Sequence, residues 1–155
     1  MSIFDPTTFL DTTISESNEK RPPLPALNPE DPLGQYMALI GEVVPKSGEK
    51  DGKPWLRMDV PLVIQVPASV QAQGLPPQLT LRDSVFIDMT PDGKGIDMGK
   101  GRNNRQRIYR EAAGMNTAGQ AWSWRMMQGK MVKVSVKHEM YNDAIQERAG
   151  NVFPA

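Results

Sequence analysis

Apolar and polar residues alternate most regularly over Pro54–Val66. Leu56, Met58, Val60, Leu62, Ile64 and Val66 fall on every second position. Successive side chains of a strand point to opposite faces, so this set predicts a β-strand with one face on a core. The opposite face begins Trp55, Arg57, Asp59. Over Thr80–Met89, Leu81, Val85, Ile87 and Met89 share one side with Asp83 as an exception, while Arg82, Ser84, Phe86 and Asp88 share the other. Met131–His138 puts Val132, Val134 and Val136 inward and Lys133, Ser135 and Lys137 outward. Leu33–Val44, rich in β-formers, predicts a first strand, and Ile145–Phe153 a weaker fifth.

Between the strands, Pro45–Lys53 reads as a polar hairpin loop with Lys46, Lys50 and Lys53. Residues 67–79 form a Pro/Gln/Gly loop, and Thr90–Gly95 a turn. A helix is predicted from about Asn103 to Ala113, with Gly114 where a C-cap glycine belongs. On it Ile108 and Ala112 align for burial, and Arg105 and Tyr109 form an i,i+4 pair on a neighbouring stripe. Residues 115–121 read as a loop and 122–128 as a short helical turn. The order strand, strand, strand, helix, strand, strand predicts an all-β domain, a β-barrel with one helix. It is the order of the OB-fold, a five-stranded Greek-key barrel with a helix between strands 3 and 4. That domain covers residues 33–155. Residues 1–32 read as a flexible, acidic, Pro-rich arm, because Arg21–Asn28-Pro29 forbids helix and favours extended polyproline conformations. The apolar content of Phe4–Ile14 suits docking on the body or on a neighbouring copy, so a homo-oligomer stays open.

Composition narrows the chemistry. The chain has no Cys and one His, which excludes disulfides, thiolate metal sites and multi-His zinc centres. Asp51, Asp59, Asp88 and Asp97 show no metal-ligand spacing, and no cofactor is implied. His138 shares the parity of the inward valines and reads as structural. Ser84 and Ser135 lie on no nucleophile elbow, so the chain is not expected to be an enzyme. No apolar run approaches the ~20 residues of a membrane span. Met1–Asp5 lacks the basic and apolar regions of a signal peptide, which points to a cytoplasm.

Charge changes the picture most. The net charge is zero, yet residues 1–31 carry −4 and residues 32–155 carry +4. Lys94–Lys137 holds ten bases against Asp97 and Glu111, a net +8, together with Tyr109, Trp122 and Trp124. Concentrated positive charge with interleaved aromatics suits a polyanion whose bases stack. Trp55 and Phe86 are the candidate stacking rings. Arg57, Lys100, Arg102, Arg105, Lys133 and Lys137 are the candidate phosphate contacts. Two alternatives compete: Trp55 packed under its flanking loop, and Phe86 in a second small core under the helix. Trp122 and Trp124, two residues apart, are expected to face apart, with one of them in the core. Gly99-Lys100-Gly101-Arg102 does not match the P-loop spacing. Glycines ahead of a helix start still offer N–H groups to one phosphate; a plain glycine-rich turn is the competing reading.

Several short blocks carry a resemblance: Met1-Ser2-Ile3-Phe4-Asp5-Pro6, Gly34-Gln35-Tyr36, Gly52-Lys53-Pro54-Trp55, Ser84-Val85-Phe86-Ile87-Asp88, Ile96-Asp97-Met98-Gly99-Lys100-Gly101-Arg102-Asn103, Gln120-Ala121-Trp122-Ser123 and Val134-Ser135-Val136-Lys137-His138. Through them the chain resembles bacteriophage single-stranded-DNA-binding proteins of the OB-fold type, as scattered matches over most of the chain after residue 33. The resemblance implies a replication or recombination accessory that coats single-stranded DNA in the cytoplasm of a bacterial host, with phage or host replication and recombination proteins as further partners. Many such proteins end in an acidic tail; Gly150–Ala155 carries no acid, so an expected recruiting role would fall to the acidic N-terminal arm. Two other readings stay open at this point: an RNA-binding OB protein, and a non-enzymatic structural or protein-interaction module of a phage particle.

Overall fold

The computed structural model describes residues 5–155. Among the described residues six strands are present: β1 Tyr36–Ile40, β2 Val44–Lys50, β3 Lys53–Gln65, β4 Gln78–Ile87, β5 Met131–Tyr141 and β6 Ala144–Pro154. Three helices accompany them, α1 Pro6–Leu10, α2 Ala68–Gln71 and α3 Asn104–Ala112, with a 3-10 turn at Trp124–Met127. All strand pairs are antiparallel and belong to one sheet in the order β2-β3-β1-β5-β6, with β4 on β3. The long β3 organises it. β4 pairs along one edge of β3 from Leu56↔Ile87 to Gln65↔Gln78. The other edge is shared, by β2 against Lys53–Asp59 and by β1 against Leu62–Ile64.

The alternating residues face inward as their spacing predicts. Val60, Leu62 and Ile64 of β3, Leu81, Val85 and Ile87 of β4, and Val132, Val134 and Val136 of β5 are buried in one core. Each such side chain, fully buried, contributes about 1.5–3 kcal/mol. Tyr109 and Ala112 of α3 complete the core, and Gly114 (φ +67°) ends that helix as expected.

The sheet does not close into a barrel: β4 and β6 share no ladder. Side chains span that opening instead. Arg105 of α3 donates to Asp83 Oδ2 on β4 (3.0 and 2.7 Å), to the Gly150 carbonyl on β6 (2.6 Å) and to Asn151 Oδ1 (3.1 Å). Tyr109 Oη donates to the same Asp83 oxygen at 2.7 Å.

Two expectations need correction. Pro45–Lys50, read as part of a loop, belongs to the strand Val44–Lys50, so the sheet has six strands rather than five. The turn is only Asp51-Gly52, both at positive φ (54° and 75°), the two-residue geometry that matches strand twist. The arm expected to run free to residue 32 is tied down from residue 21. Leu24 is fully buried, and its carbonyl accepts from His138 Nε2 at 2.6 Å. The Pro25 carbonyl accepts from Tyr36 Oη at 2.7 Å, Asp31 pairs with Lys133 at 3.1 Å, and Arg21 pairs with Glu147. Nothing periodic marks a lone Leu among prolines as a core residue. Ahead of the strap, α1 is capped by the Asp5 side chain and buries no residue. Phe4 lies outside the described residues.

Candidate nucleic-acid interface

Trp55 and Phe86 meet on the outer face of the sheet, where β3 and β4 pair Arg57 with Phe86. Their ring centroids are 6.3 Å apart and tilted by 58°. Phe86 is 59 % exposed; Trp55 is half-buried. The indole rests on the neighbouring strand at its cross-strand partner Gly48. A Cβ at Gly48 would lie 2.8 Å from Trp55 Cζ2, so only a glycine there lets the ring lie down. The Arg57 guanidinium sits 5.5 Å from the Trp55 centroid, within cation–π range. Trp55 is therefore held in one orientation from below and beside. The turn at Gly93 packs on Pro54 and leaves the indole lining open space.

Hollows flank the pair. One, of about 530 Å³, is lined by Lys50, Lys53, Trp55, Arg57 and Phe86. The other shares Lys53, Trp55 and Phe86 and reaches Asp97 and Arg102. Arg102 also lines a third hollow with Lys100, Arg107 and Arg110 at the start of α3. Shared residues thus join Lys50, the two rings, Arg102 and Lys100 into one track. Lys50 and Lys53 were missed as site residues in the sequence because their segment read as loop; the Asp51-Gly52 dipeptide is the signal that pairs them.

Electrostatics under the rings is settled by Asp59. This buried carboxylate accepts from Arg57 Nε at 3.0 Å and Ser84 Oγ at 3.2 Å, and pairs with Lys46 at 3.3 Å. Burial pushes its carboxyl up, but the bonds and charge from Lys46 and Arg57, with Ser84, outweigh that and hold it below the usual carboxylate range. Arg57 is bound through Nε; no hydrogen bond among the described residues engages its terminal nitrogens.

The remaining site candidates separate. Lys100 is exposed and on the track. Arg102 is on it but pairs with Asp97 at 3.2 Å and lies 3.9 Å from Asp88. Arg105 is spent on the β4–β6 bridge. Lys133 holds the strap through Asp31, whose carboxyl is held below its usual range by the Gln35 N–H and then by Lys133. Lys137 stands 3.7 Å from Glu139. Neither Lys133 nor Lys137 lines the hollows beside Trp55 and Phe86. The +8 segment is thus partly neutralised by acids from elsewhere in the chain. The glycine loop is likewise occupied: Gly99 N–H donates to Asp97 Oδ1 at 2.9 Å, and Asn103 N–H to Asp88 Oδ2 at 2.7 Å.

Trp122 and Trp124 do not face apart. They meet edge to face at 5.2 Å, and Trp124 meets Tyr109 at 5.3 Å. Both are half-buried against the core. Their N–H groups are taken by Met127 Sδ (3.3 Å) and Gln106 Oε1 (3.0 Å). The two-residue period fails because Trp124 opens a 3-10 turn rather than continuing a strand.

Among the described residues no three His, Asp or Glu gather as metal ligands, and no helix is long and apolar enough to cross a membrane. No protein-family model and no curated protein matches the chain.

Proposed function

We propose that the protein binds single-stranded DNA without sequence preference and without catalysis, as a coat for strands exposed in phage DNA replication or recombination. The observation that carries this reading is the Trp55–Phe86 pair, set on the outer face between a hollow lined by Lys50, Lys53 and Arg57 with Asp51 and one where Lys53 and Arg102 stand with Asp88 and Asp97. Every base offers a π-face, so two presented rings stack any sequence, while Lys50, Lys53, Arg57, Lys100 and Arg102 follow the backbone. Paired bases in a duplex keep their faces covered, hence the single-strand preference. Trp55 is already fixed by Gly48 and Arg57, so stacking costs it little side-chain entropy.

An OB-fold reading of the sheet agrees. β1 and β2 share one edge of β3 and act as one bent first strand; β3, β4, α3, β5 and β6 then follow in OB order. The rings lie on the second and third strands of that scheme, and Lys50 and Lys53 on the first hairpin, a surface on which OB-folds bind oligonucleotides.

The test is intrinsic tryptophan fluorescence during titration with oligo-dT of about thirty nucleotides, longer than the ~4–16 that one OB-fold occupies. Saturable quenching is expected, weakening with salt by about 0.7 in log–log slope per phosphate contacted. Trp55→Phe should keep most of the affinity and lose most of the quenching. Unchanged quenching in that variant removes Trp55 from the site. No quenching, with no retention of the oligonucleotide in a gel shift, overturns the proposal. A matched RNA oligomer, titrated in parallel, separates the DNA from the RNA reading.

A further inference from the structure

Basic side chains also converge where the aromatic rings do not reach. Between the unpaired edges of β4 and β6 lies an open hollow of about 290 Å³ lined by Arg21, Arg82, Glu147 and Arg148. Three separate segments deliver these arginines: the N-terminal strap, β4 and β6. Lys137 of β5 is the cross-strand partner of Arg148 and adds a fourth cation. Two acids oppose the four. Glu147 pairs with Arg21, and Glu139 lies 3.7 Å from Lys137 and 3.4 Å from Arg148. Arg82 is exposed and has no acid partner among the described residues. Positive charge is left over at the seam, in a hollow open to solvent, which favours an anion there.

The seam lies in line with the rings. Arg82, Ser84 and Phe86 occupy alternate positions of β4, on the same outer face. At about 3.4 Å per residue, Arg82 stands about 14 Å from Phe86. A strand stacked on Phe86 and running along β4 meets Arg82 next and Arg148 across the opening. We propose that the β4–β6 seam is a second anion contact, which takes backbone phosphates of the single strand beyond Phe86 and lengthens the occupied site. This extension rests on the nucleic-acid reading of the rings.

The test compares wild type with the double variant Arg82→Gln/Arg148→Gln, both exposed positions, on oligo-dT of about six and about thirty nucleotides, lengths that bracket part of one OB-fold site and more than a whole one. The double variant should bind the short oligomer like wild type and the long one more weakly. Its salt slope on the long oligomer should be shallower by about 1.4, two contacts at about 0.7 each. Unchanged affinity and slope on the long oligomer overturn the seam, as does an equal loss on both lengths. Polyglutamate competing as well as oligo-dT also overturns it, in favour of an acidic protein partner. If Trp55→Ala/Phe86→Ala leaves long-oligomer binding intact while the arginine variant loses it, the seam stands and the ring site falls. If wild type retains neither length, both fall.

Discussion

Trp55 with Phe86 and Trp122 with Trp124 are two aromatic pairs, each with an arginine beside it: Arg57 lies 5.5 Å from the Trp55 ring and Arg110 lies 5.1 Å from the Trp122 ring. Sequence composition cannot tell them apart. The surroundings can. The second pair leans on Tyr109, spends both indole N–H groups inside the fold and packs on the core. The first pair lies across a glycine, presents Phe86 to solvent and borders cations on both sides. An aromatic beside an arginine is open to a ligand only where the fold leaves a ring face uncovered.

The contrast breaks most visibly through stability. Trp124→Ala should lower unfolding free energy by about 3 kcal/mol, the usual cost of emptying a packed indole site. In urea unfolding the midpoint should fall, while the folded protein keeps its oligo-dT affinity. Trp55→Ala should do the reverse, weakening oligo-dT binding by about 1–3 kcal/mol with little movement of the urea midpoint. Loss of both properties in either variant would erase the distinction between the pairs. Gly48→Ala is a finer probe, since its methyl meets the Trp55 ring. A stability loss of about 1 kcal/mol is expected, with weaker binding through a displaced indole, and Trp55→Ala in the same chain should restore the stability.

The smallest effect is the dependence on pH. In the folded state Lys46, Arg57 and Ser84 hold the Asp59 carboxyl below the usual carboxylate range, against the opposing effect of burial. The stability it contributes is therefore fully present above the unfolded value and is lost as pH falls through the folded one. Thermal midpoints followed from neutral pH down to about 2 should drop at the acid end, and drop less in Asp59→Asn. An identical acid profile in that variant would show that Asp59 does not couple to folding.

Strands buried on one face were legible because alternation records burial directly: β3, β4 and β5 lie where Val60, Val85 and Val134 put them. β2 was not, because Val44–Lys50 buries no residue and is a strand only through its bonds to β3. The two rings of the site were legible as outward residues on patterned strands. The fate of the cations was not. Arg105 meets Asp83 across 22 residues and Lys133 meets Asp31 across 102, and no local pattern records which distant acid will neutralise which base. Lys50 and Lys53 were hidden for the same reason as β2.

The strap sets an order of events during synthesis. Leu24 emerges from the ribosome early, yet its carbonyl waits for His138, 114 residues later, and Arg21 waits for Glu147. At about 5–20 residues per second that gap is roughly 6–23 s, during which Leu24 has no β5 to cover it. β1 waits on one edge only: it pairs with β3 early, but Tyr36 pairs with Val134. The β2–β3–β4 meander, with Trp55 and Phe86 side by side, is complete in sequence well before Arg21 and Leu24 have their partners on β5 and β6. The aromatic pair therefore needs only β3 and β4, whereas the latch of Arg21 on Glu147 needs β6.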